Sequence, residues 1–182
     1  MTTLGQLHAE NEQARSNYGA LPAGTYKMAV EEALMKTPKA GGADYLNIRF
    51  TVVGEKYAGK KVFMNYNVNH SGDVPRRIAR GQYTDLAVAC GAPADTDVAT
   101  LFLDPLKIVA LVTNKVLFVK VNVKEEVYQG ETSTVNSPNG YYSLSSPLGQ
   151  ANAAKTLATL NTQESFGNGA PVAESQLSDV PF

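Results

Sequence analysis

The sequence has little of the chemistry that enzymes and disulfide-stabilised domains require. Its one cysteine, Cys90, excludes a disulfide bond within the chain and favours a reducing compartment. The two histidines, His8 and His70, lie far from each other and from Cys90, so a zinc site of Cys and His ligands is not expected. Neither a Gly-x4-Gly-Lys-Ser/Thr phosphate loop nor a Gly-x-Ser-x-Gly elbow is present. We therefore predict no catalytic residues, no cofactor and no metal.

Long apolar runs and a strong charge imbalance are also missing. No stretch approaches the roughly 18 apolar residues of a membrane helix, and no basic segment followed by an apolar run marks a signal peptide. We therefore predict a soluble protein without membrane contact. The formal net charge is −1, but residues 23–148 are slightly basic and residues 149–182 slightly acidic. A nucleic-acid binder needs only a local basic surface, so this balance does not exclude one.

Alternation of apolar and polar residues predicts most of the secondary structure. The segments GTYKMAVEEALMK, YLNIRFTVV and KVFMNYNV alternate with period two between glycine-bearing turns, which predicts a three-stranded meander. The stretch SGDVPRRIARGQYTDLAVACGAP predicts a helix, with Ser71 or Asp73 as its N-cap. Residues 94–114 are ambiguous, with a short helix around LDPLKIVALV. KVLFVKVNVKEEVYQG is a fourth strand, ETSTVNSPNG a long polar loop, and YYSLSS a last short strand.

This order of elements is typical of one all-β domain with one or two helices. We predict a five-stranded OB-type Greek-key barrel with a helix between strands 3 and 4. A β-sandwich or another small barrel stays open, because strand order cannot be derived from the pattern. Residues 1–20 would form a flexible arm and residues 21–148 the domain. Residues 149–182 have too few large apolar side chains to offset the entropy of ordering, so we predict a disordered tail.

The faces of strands 2, 3 and 4 that point away from the predicted core share a composition. Each combines an aromatic ring, cations and asparagines, and unpaired nucleic acid uses all three: bases stack on rings, cations neutralise phosphates, and amides bond to sugars or base edges. The candidate binding residues are Tyr45, Asn47, Arg49, Lys61, Phe63, Asn65, Phe118, Lys120, Asn122 and Lys124. The alternative is structural, because exposed aromatics also stabilise pleated sheets. In that case a helix or the arm covers Phe63 and Phe118.

Two parts of the sequence resemble known single-stranded DNA-binding proteins. The motifs LPAGTY, YLNIRF, GKKVF and LAVACG resemble those of bacteriophage-encoded proteins of OB-fold type, and the likeness runs across residues 21–145. The ending Asp179-Val180-Pro181-Phe182 resembles the Asp-Ile-Pro-Phe terminus of the bacterial proteins, whose acidic tail docks on replication and repair enzymes. The resemblance implies a partner-docking role for these four residues, although this tail is less acidic.

The resemblance implies a sequence-nonspecific single-stranded DNA-binding protein that acts in phage DNA replication, recombination or repair. Its partners would be single-stranded DNA and enzymes of phage or host, in the cytoplasm of the bacterial host. The oligomeric state is open, and a homo-oligomer is one option. Two alternatives are a β-rich protein-interaction or virion-accessory protein and a nuclease or annealase subunit.

Overall fold

A computed structural model describes residues 3–6, 20–54, 56–128 and 130–167. The elements, in chain order, are β1 (Gly24–Lys36), β2 (Tyr45–Val52), β3 (Lys61–Tyr66), α1 (Asp73–Ala89), α2 (Val98–Leu101), α3 (Pro105–Val112), β4 (Val116–Tyr128), β5 (Glu131–Tyr142) and α4 (Pro147–Gly167). Most of the predicted N-terminal arm and the end of the predicted tail lie outside the described residues.

The five strands form one antiparallel sheet in the order β3-β2-β1-β4-β5. The long strand β1 pairs with both β2 and β4, and the two outer strands, β3 and β5, contact each other. The sheet therefore closes into a small barrel, with α1, α2 and α3 inserted between β3 and β4. This strand order is the Greek-key arrangement of the OB fold, so the predicted fold is confirmed.

The barrel interior holds the apolar residues that the alternation assigned to it. In β2 the inward side chains of Leu46, Ile48, Phe50 and Val52 are buried, and their neighbours along the strand are only partly covered. Helix α1 contributes Tyr83 to the same core, where its hydroxyl donates a 2.6 Å hydrogen bond to the backbone carbonyl of Ile108. A buried tyrosine requires such a partner, because an unpaired hydroxyl costs free energy on burial.

The N-caps of the helices agree with local sequence signals except at α1, where the predicted cap is wrong. The N-cap of α1 is Gly72, and neither Ser71 nor Asp73 caps it; no side chain does. The ambiguous segment contains two helices, each with an aspartate at its N-cap. Asp97 accepts a 3.0 Å hydrogen bond from the amide of Ala99, and Asp104 caps α3 in the same way.

The segment predicted as a polar loop, ETSTVNSPNG, is instead most of β5. It pairs with β4 residue by residue from Tyr128↔Glu131 to Asn122↔Ser137. Polar residues replace the alternation that marks a half-buried strand, because this part of the hairpin projects beyond the core and both of its faces are largely exposed. The segment nevertheless contains threonine and valine, which are good strand formers, and these residues could have indicated a strand.

The prediction of disorder throughout residues 149–182 is wrong for residues 149–167, which belong to α4. Ser146 caps this helix, with its hydroxyl accepting a 3.2 Å hydrogen bond from the amide of Gly149. The helix packs closely enough on the sheet for the Thr156 hydroxyl to accept a 2.9 Å hydrogen bond from the amide of Thr25. Leu160 is buried. Small side chains allow this close approach, so few large apolar residues are needed.

Candidate nucleic-acid interface

Strands β2 and β3 place five of the candidate residues side by side on the outside of the barrel. Arg49 pairs with Phe63, Asn47 pairs with Asn65, and Lys61 follows in the same row of β3. The side-chain amide of Asn47 donates a 2.7 Å hydrogen bond to Oδ1 of Asn65, which fixes one end of the surface. We call these five residues the β2–β3 face. They face outward because the residues that alternate with them face the core.

The Phe63 ring is 48% exposed and stands in a groove between β3 and the projecting half of the β4–β5 hairpin. We call this space, of about 480 Å³, the β3–hairpin groove. Its walls bring three of the candidate residues on β3 opposite Lys124 of β4. The lining residues are Ala20, Lys61, Val62, Phe63, Met64, Asn65, Lys124, Glu126, Thr134, Val135, Asn136 and Ser137.

The hairpin wall is fixed by a contact that sequence reasoning missed. The side chain of Asn136 in β5 accepts a 2.7 Å hydrogen bond from the amide of Leu21 and donates a 2.8 Å hydrogen bond to the carbonyl of Leu21. It therefore satisfies both backbone groups of one residue, as a neighbouring strand would do. This contact ties the segment before β1 to the groove, where Ala20 is part of the lining.

Two carboxylates also belong to this surface, and the alternation pattern contains no signal for them. The pairing of β1 with β2 shifts at a bulge between Val30 and Glu32, so Glu31 and Glu32 both lie outside the core. Oε2 of Glu31 is 2.5 Å from Nζ of Lys61 and 3.3 Å from Nε of Arg49, and Oε2 of Glu32 is 3.3 Å from Nη1 of Arg49.

The Glu31 carboxylate is held in its charged form. The hydrogen bond from Lys61 has the largest effect, and the hydrogen bond from the Thr51 hydroxyl adds to it. Together with the charges of Lys61 and Arg49 they lower the pKa of Glu31 to about 2. The cluster formed by Glu31, Glu32, Arg49 and Lys61 thus balances two cations against two carboxylates.

Two further candidate residues lie at the borders of this surface. Tyr45, at the start of β2, is half-buried opposite Lys36, whose ammonium donates a 2.7 Å hydrogen bond to Oδ1 of Asn47. Asn122 pairs with Ser137, one of the groove residues. Both therefore adjoin residues of the face or the groove.

Phe118 does not reach this surface, and Lys120 is exposed on β4 but does not line the groove. Phe118 pairs with Lys27 and Tyr142 and is half-buried beside α4, as the structural alternative expected of it. Lys124 lies six positions further along β4, which corresponds to roughly 20 Å. Phe63 and Phe118 therefore do not line one groove. The candidate surface is formed by β2, β3 and the projecting half of the β4–β5 hairpin, with Phe63 as the ring in its groove.

Among the described residues, the remaining candidates form no second site. Asp179, Val180, Pro181 and Phe182 lie outside the described residues. Burial raises the pKa of the Cys90 thiol to about 12, so it stays protonated at neutral pH.

Within residues 3–6, 20–54, 56–128 and 130–167 there is no group of three or more His, Cys, Asp or Glu side chains suited to a metal ion. None of the helices in the same ranges has the length and apolar character needed to cross a membrane.

Residues 8–148 match the family described as "Protein of unknown function (DUF669)". The chain belongs to this family. The DUF669 match contains the whole barrel, the β2–β3 face and the β3–hairpin groove, and it stops at the start of α4. No curated protein matches the sequence. A solved structure, "Yeast RPA bound to ssDNA", is similar at 10% sequence identity with a TM-score of 0.37, over 83% of this chain and 94% of that chain. The order and the pairing of the five strands show the OB fold.

Proposed function

We propose that this DUF669 protein binds single-stranded DNA without sequence specificity, through the β2–β3 face and the β3–hairpin groove. The observation that carries the proposal is the Phe63 ring, half exposed in a polar groove and flanked by Lys61, Asn65 and Lys124. A large aromatic ring in contact with water is unfavourable unless something covers it. A nucleobase stacked on it would do so, while the lysines approach the adjoining phosphates.

The chemistry of the groove favours single strands over duplex. The bases of a duplex are stacked on each other, so their faces are not accessible to the Phe63 ring. An unpaired base can stack on this ring. The position of the groove agrees with this, because OB barrels bind oligonucleotides on the face of strands 2 and 3 and with the loop between strands 4 and 5. Here that loop is the end of the projecting β4–β5 hairpin.

Sequence tolerance follows from the kinds of polar group on the surface. Asparagine amides can donate and accept, so Asn65 can meet the edge of any base, whereas Asn136 is already bonded to both backbone groups of Leu21. Asn47 and Asn65 are also hydrogen-bonded to each other, so their amides are partly engaged already. A stacking ring and lysine ammonium groups do not distinguish bases either. We therefore propose a non-enzymatic coating role in DNA replication, recombination or repair. A phage setting for this role rests on the sequence resemblance.

A titration of fluorescent oligo-dT across a salt series tests this function, with unlabelled duplex of equal length as competitor. We expect affinity that falls steeply with salt and a clear preference for the single strand. No binding above a generic background would support the protein-interaction alternative and overturn the proposal. Incubation of the labelled strand with Mg²⁺ tests the nuclease alternative, because degradation would contradict a pure binding role.

The docking role of Asp179, Val180, Pro181 and Phe182 is part of the same proposal and is tested separately. Deletion of residues 176–182 should leave oligo-dT affinity unchanged, because no residue of the groove is removed. The same deletion should abolish capture of purified replication and repair enzymes in a pull-down. Equal capture by the full and shortened chains would contradict recruitment by these residues and leave DNA binding untouched.

A further inference from the structure

The acidic side chains on the β2–β3 face raise a question about how a polyanion binds there. Arg49 and Lys61 are two cations that this face offers to phosphate, and both already contact carboxylates. Glu31 reaches across β2 to Lys61 on β3, with the Thr51 hydroxyl as a further donor to its carboxylate. Glu32 lies directly opposite Arg49 in the strand register.

We propose that DNA binding on this face is an exchange, in which phosphate oxygens replace Glu31 and Glu32 as the partners of Lys61 and Arg49. The inference rests on the proposed function and adds to it the residues that limit affinity. Glu31 and Glu32 are positioning residues: they hold the two cations over the sheet and keep the cluster neutral until a strand arrives. A polyanion that cannot also stack on Phe63 then gains little by displacing them.

The geometry allows this exchange to take place. The four side chains are between 27% and 39% exposed, so the ion pairs lie at the surface and are not sealed in the core. Ion pairs of this kind are weak, because water and salt screen them. Among the described residues, Nε of Arg49 makes an ion pair without a hydrogen bond, so this guanidinium is not fully satisfied by its carboxylates.

Removal of one carboxylate at a time tests the exchange. Glu31→Gln should tighten oligo-dT binding about two- to fivefold, as expected for release of a surface ion pair. The plot of log affinity against log salt should steepen by up to about 0.7 for each cation released, the value for single strands. The matched control is Asp95→Asn, which removes the same charge from an exposed loop between α1 and α2 and should change neither quantity.

A second pair of variants distinguishes local exchange from a general change in charge. In a Lys61→Met background the gain from Glu31→Gln should fall by half or more, because the cation to be released is gone. An undiminished gain in that background would overturn the proposal, since only long-range charge would then be acting. If Glu31→Gln melts before it can be measured, Glu32→Gln with Arg49→Met repeats the cycle and keeps the Lys61 contact intact.

Loss of DNA binding and loss of the exchange give different results in these measurements. If the wild-type protein does not bind oligo-dT, the proposed function is wrong and the exchange falls with it. If the wild type binds, but Glu31→Gln and Asp95→Asn give the same affinity and salt slope, the exchange alone is wrong. In that outcome Arg49 and Lys61 hold the sheet together and do not contact phosphate.

Discussion

Among single residues, Phe63 matters most for the proposed binding surface. It lies on β3, a strand at one end of the sheet order, where the ring has β2 on one side and the open β3–hairpin groove on the other. Its pairing partner on β2 is Arg49, and Phe63 stays 48% exposed. An aromatic side chain left this open is available for stacking.

Replacement of this ring should weaken DNA binding without unfolding the barrel. We expect Phe63→Ala to reduce the binding free energy for oligo-dT by about 1–3 kcal/mol, the range for one stacked base. Phe63→Tyr keeps the ring and should bind nearly as well as the wild type. Val127→Ala, at an exposed hairpin position outside the groove, is the control and should have no effect. Fluorescence anisotropy checks all three, and wild-type affinity in Phe63→Ala would remove the stacking role.

The ionisation of Glu31 gives a prediction for stability as a function of pH. The folded protein lowers the pKa of this carboxyl from 4.5 to about 2, because Lys61 and Thr51 bond to the charged form. Its contribution to the free energy of unfolding is therefore complete above about pH 4.5 and is lost as the pH falls towards 2. Because the carboxylate is more than a third exposed, the contribution is modest.

Denaturant unfolding at a series of pH values measures this effect. The wild type should lose its stability advantage over Glu31→Gln between pH 4.5 and pH 2, and the two unfolding curves should converge at the acidic end. Asp95→Asn is the control. Above pH 4.5 this variant should be as much more stable than Glu31→Gln as the wild type is. A wild type and a Glu31→Gln variant that differ by the same amount at every pH would contradict the lowered pKa.

At the scale of elements, α4 depends on close approach to the sheet more than on apolar area. A methyl group built on Gly149 would lie 2.7 Å from Cβ of Tyr142 and 3.1 Å from Cδ2 of Phe118. One built on Gly24 would lie 2.4 Å from Cγ2 of Thr156. The helix therefore rests on two glycines, one of its own and one on β1. This packing half-buries Phe118, so its side chain lies beside α4 and not in the β3–hairpin groove.

Two helical glycines provide a matched test of this packing. In α1, a methyl group on Gly81 would meet nothing within 4 Å, so Gly81→Ala should raise the free energy of unfolding by up to about 1 kcal/mol. Gly149→Ala gains at most the same helix propensity, but the added methyl group forces the backbone away from Tyr142. This variant should therefore lower the free energy of unfolding by about 1–3 kcal/mol. Urea unfolding followed by circular dichroism measures both. Equal stability of the two variants would mean that α4 is not packed as described.

At the scale of the whole molecule, the folded unit extends beyond the DUF669 match. The match ends at residue 148, whereas α4 continues to Gly167 and buries Leu160 against the barrel. The sheet surface under this helix includes Tyr26 and Phe118, which line a partly filled apolar cleft with Leu157 and Leu160. Loss of the helix would open this cleft to water.

Truncation at two points tests where the folded unit ends. A chain that stops after residue 167 should unfold with the same free energy as the full chain. A chain that stops after residue 148 loses burial of Leu160 and should be less stable by about 2 kcal/mol or more. If the two truncated chains unfold at the same urea concentration, α4 contributes nothing to stability. The domain boundary predicted from the sequence, at residue 148, would then be correct.

Much of the fold was accessible from local patterns. Period-two alternation located β1 to β4 and their buried faces, and helical spacing located α1, whereas the segment that contains α2 and α3 stayed ambiguous. The outer faces of β2 and β3 were read from the same alternation. The strand β5 and the helix α4 were missed because polar or small residues build both, and their stability comes from the partner they pack against.

The alternation of residues along each strand specifies which side chains turn away from the core, because it is a local property of the backbone. Packing between distant segments then selects which of those side chains reach the solvent and what they contact. Phe63 and Phe118 have the same local pattern, yet a helix more than 25 residues further along the chain covers Phe118 and leaves Phe63 open. Lys61 and Arg49 likewise acquire Glu31 as a partner because a bulge and a strand pairing bring it there, and such long-range contacts leave no periodic signal.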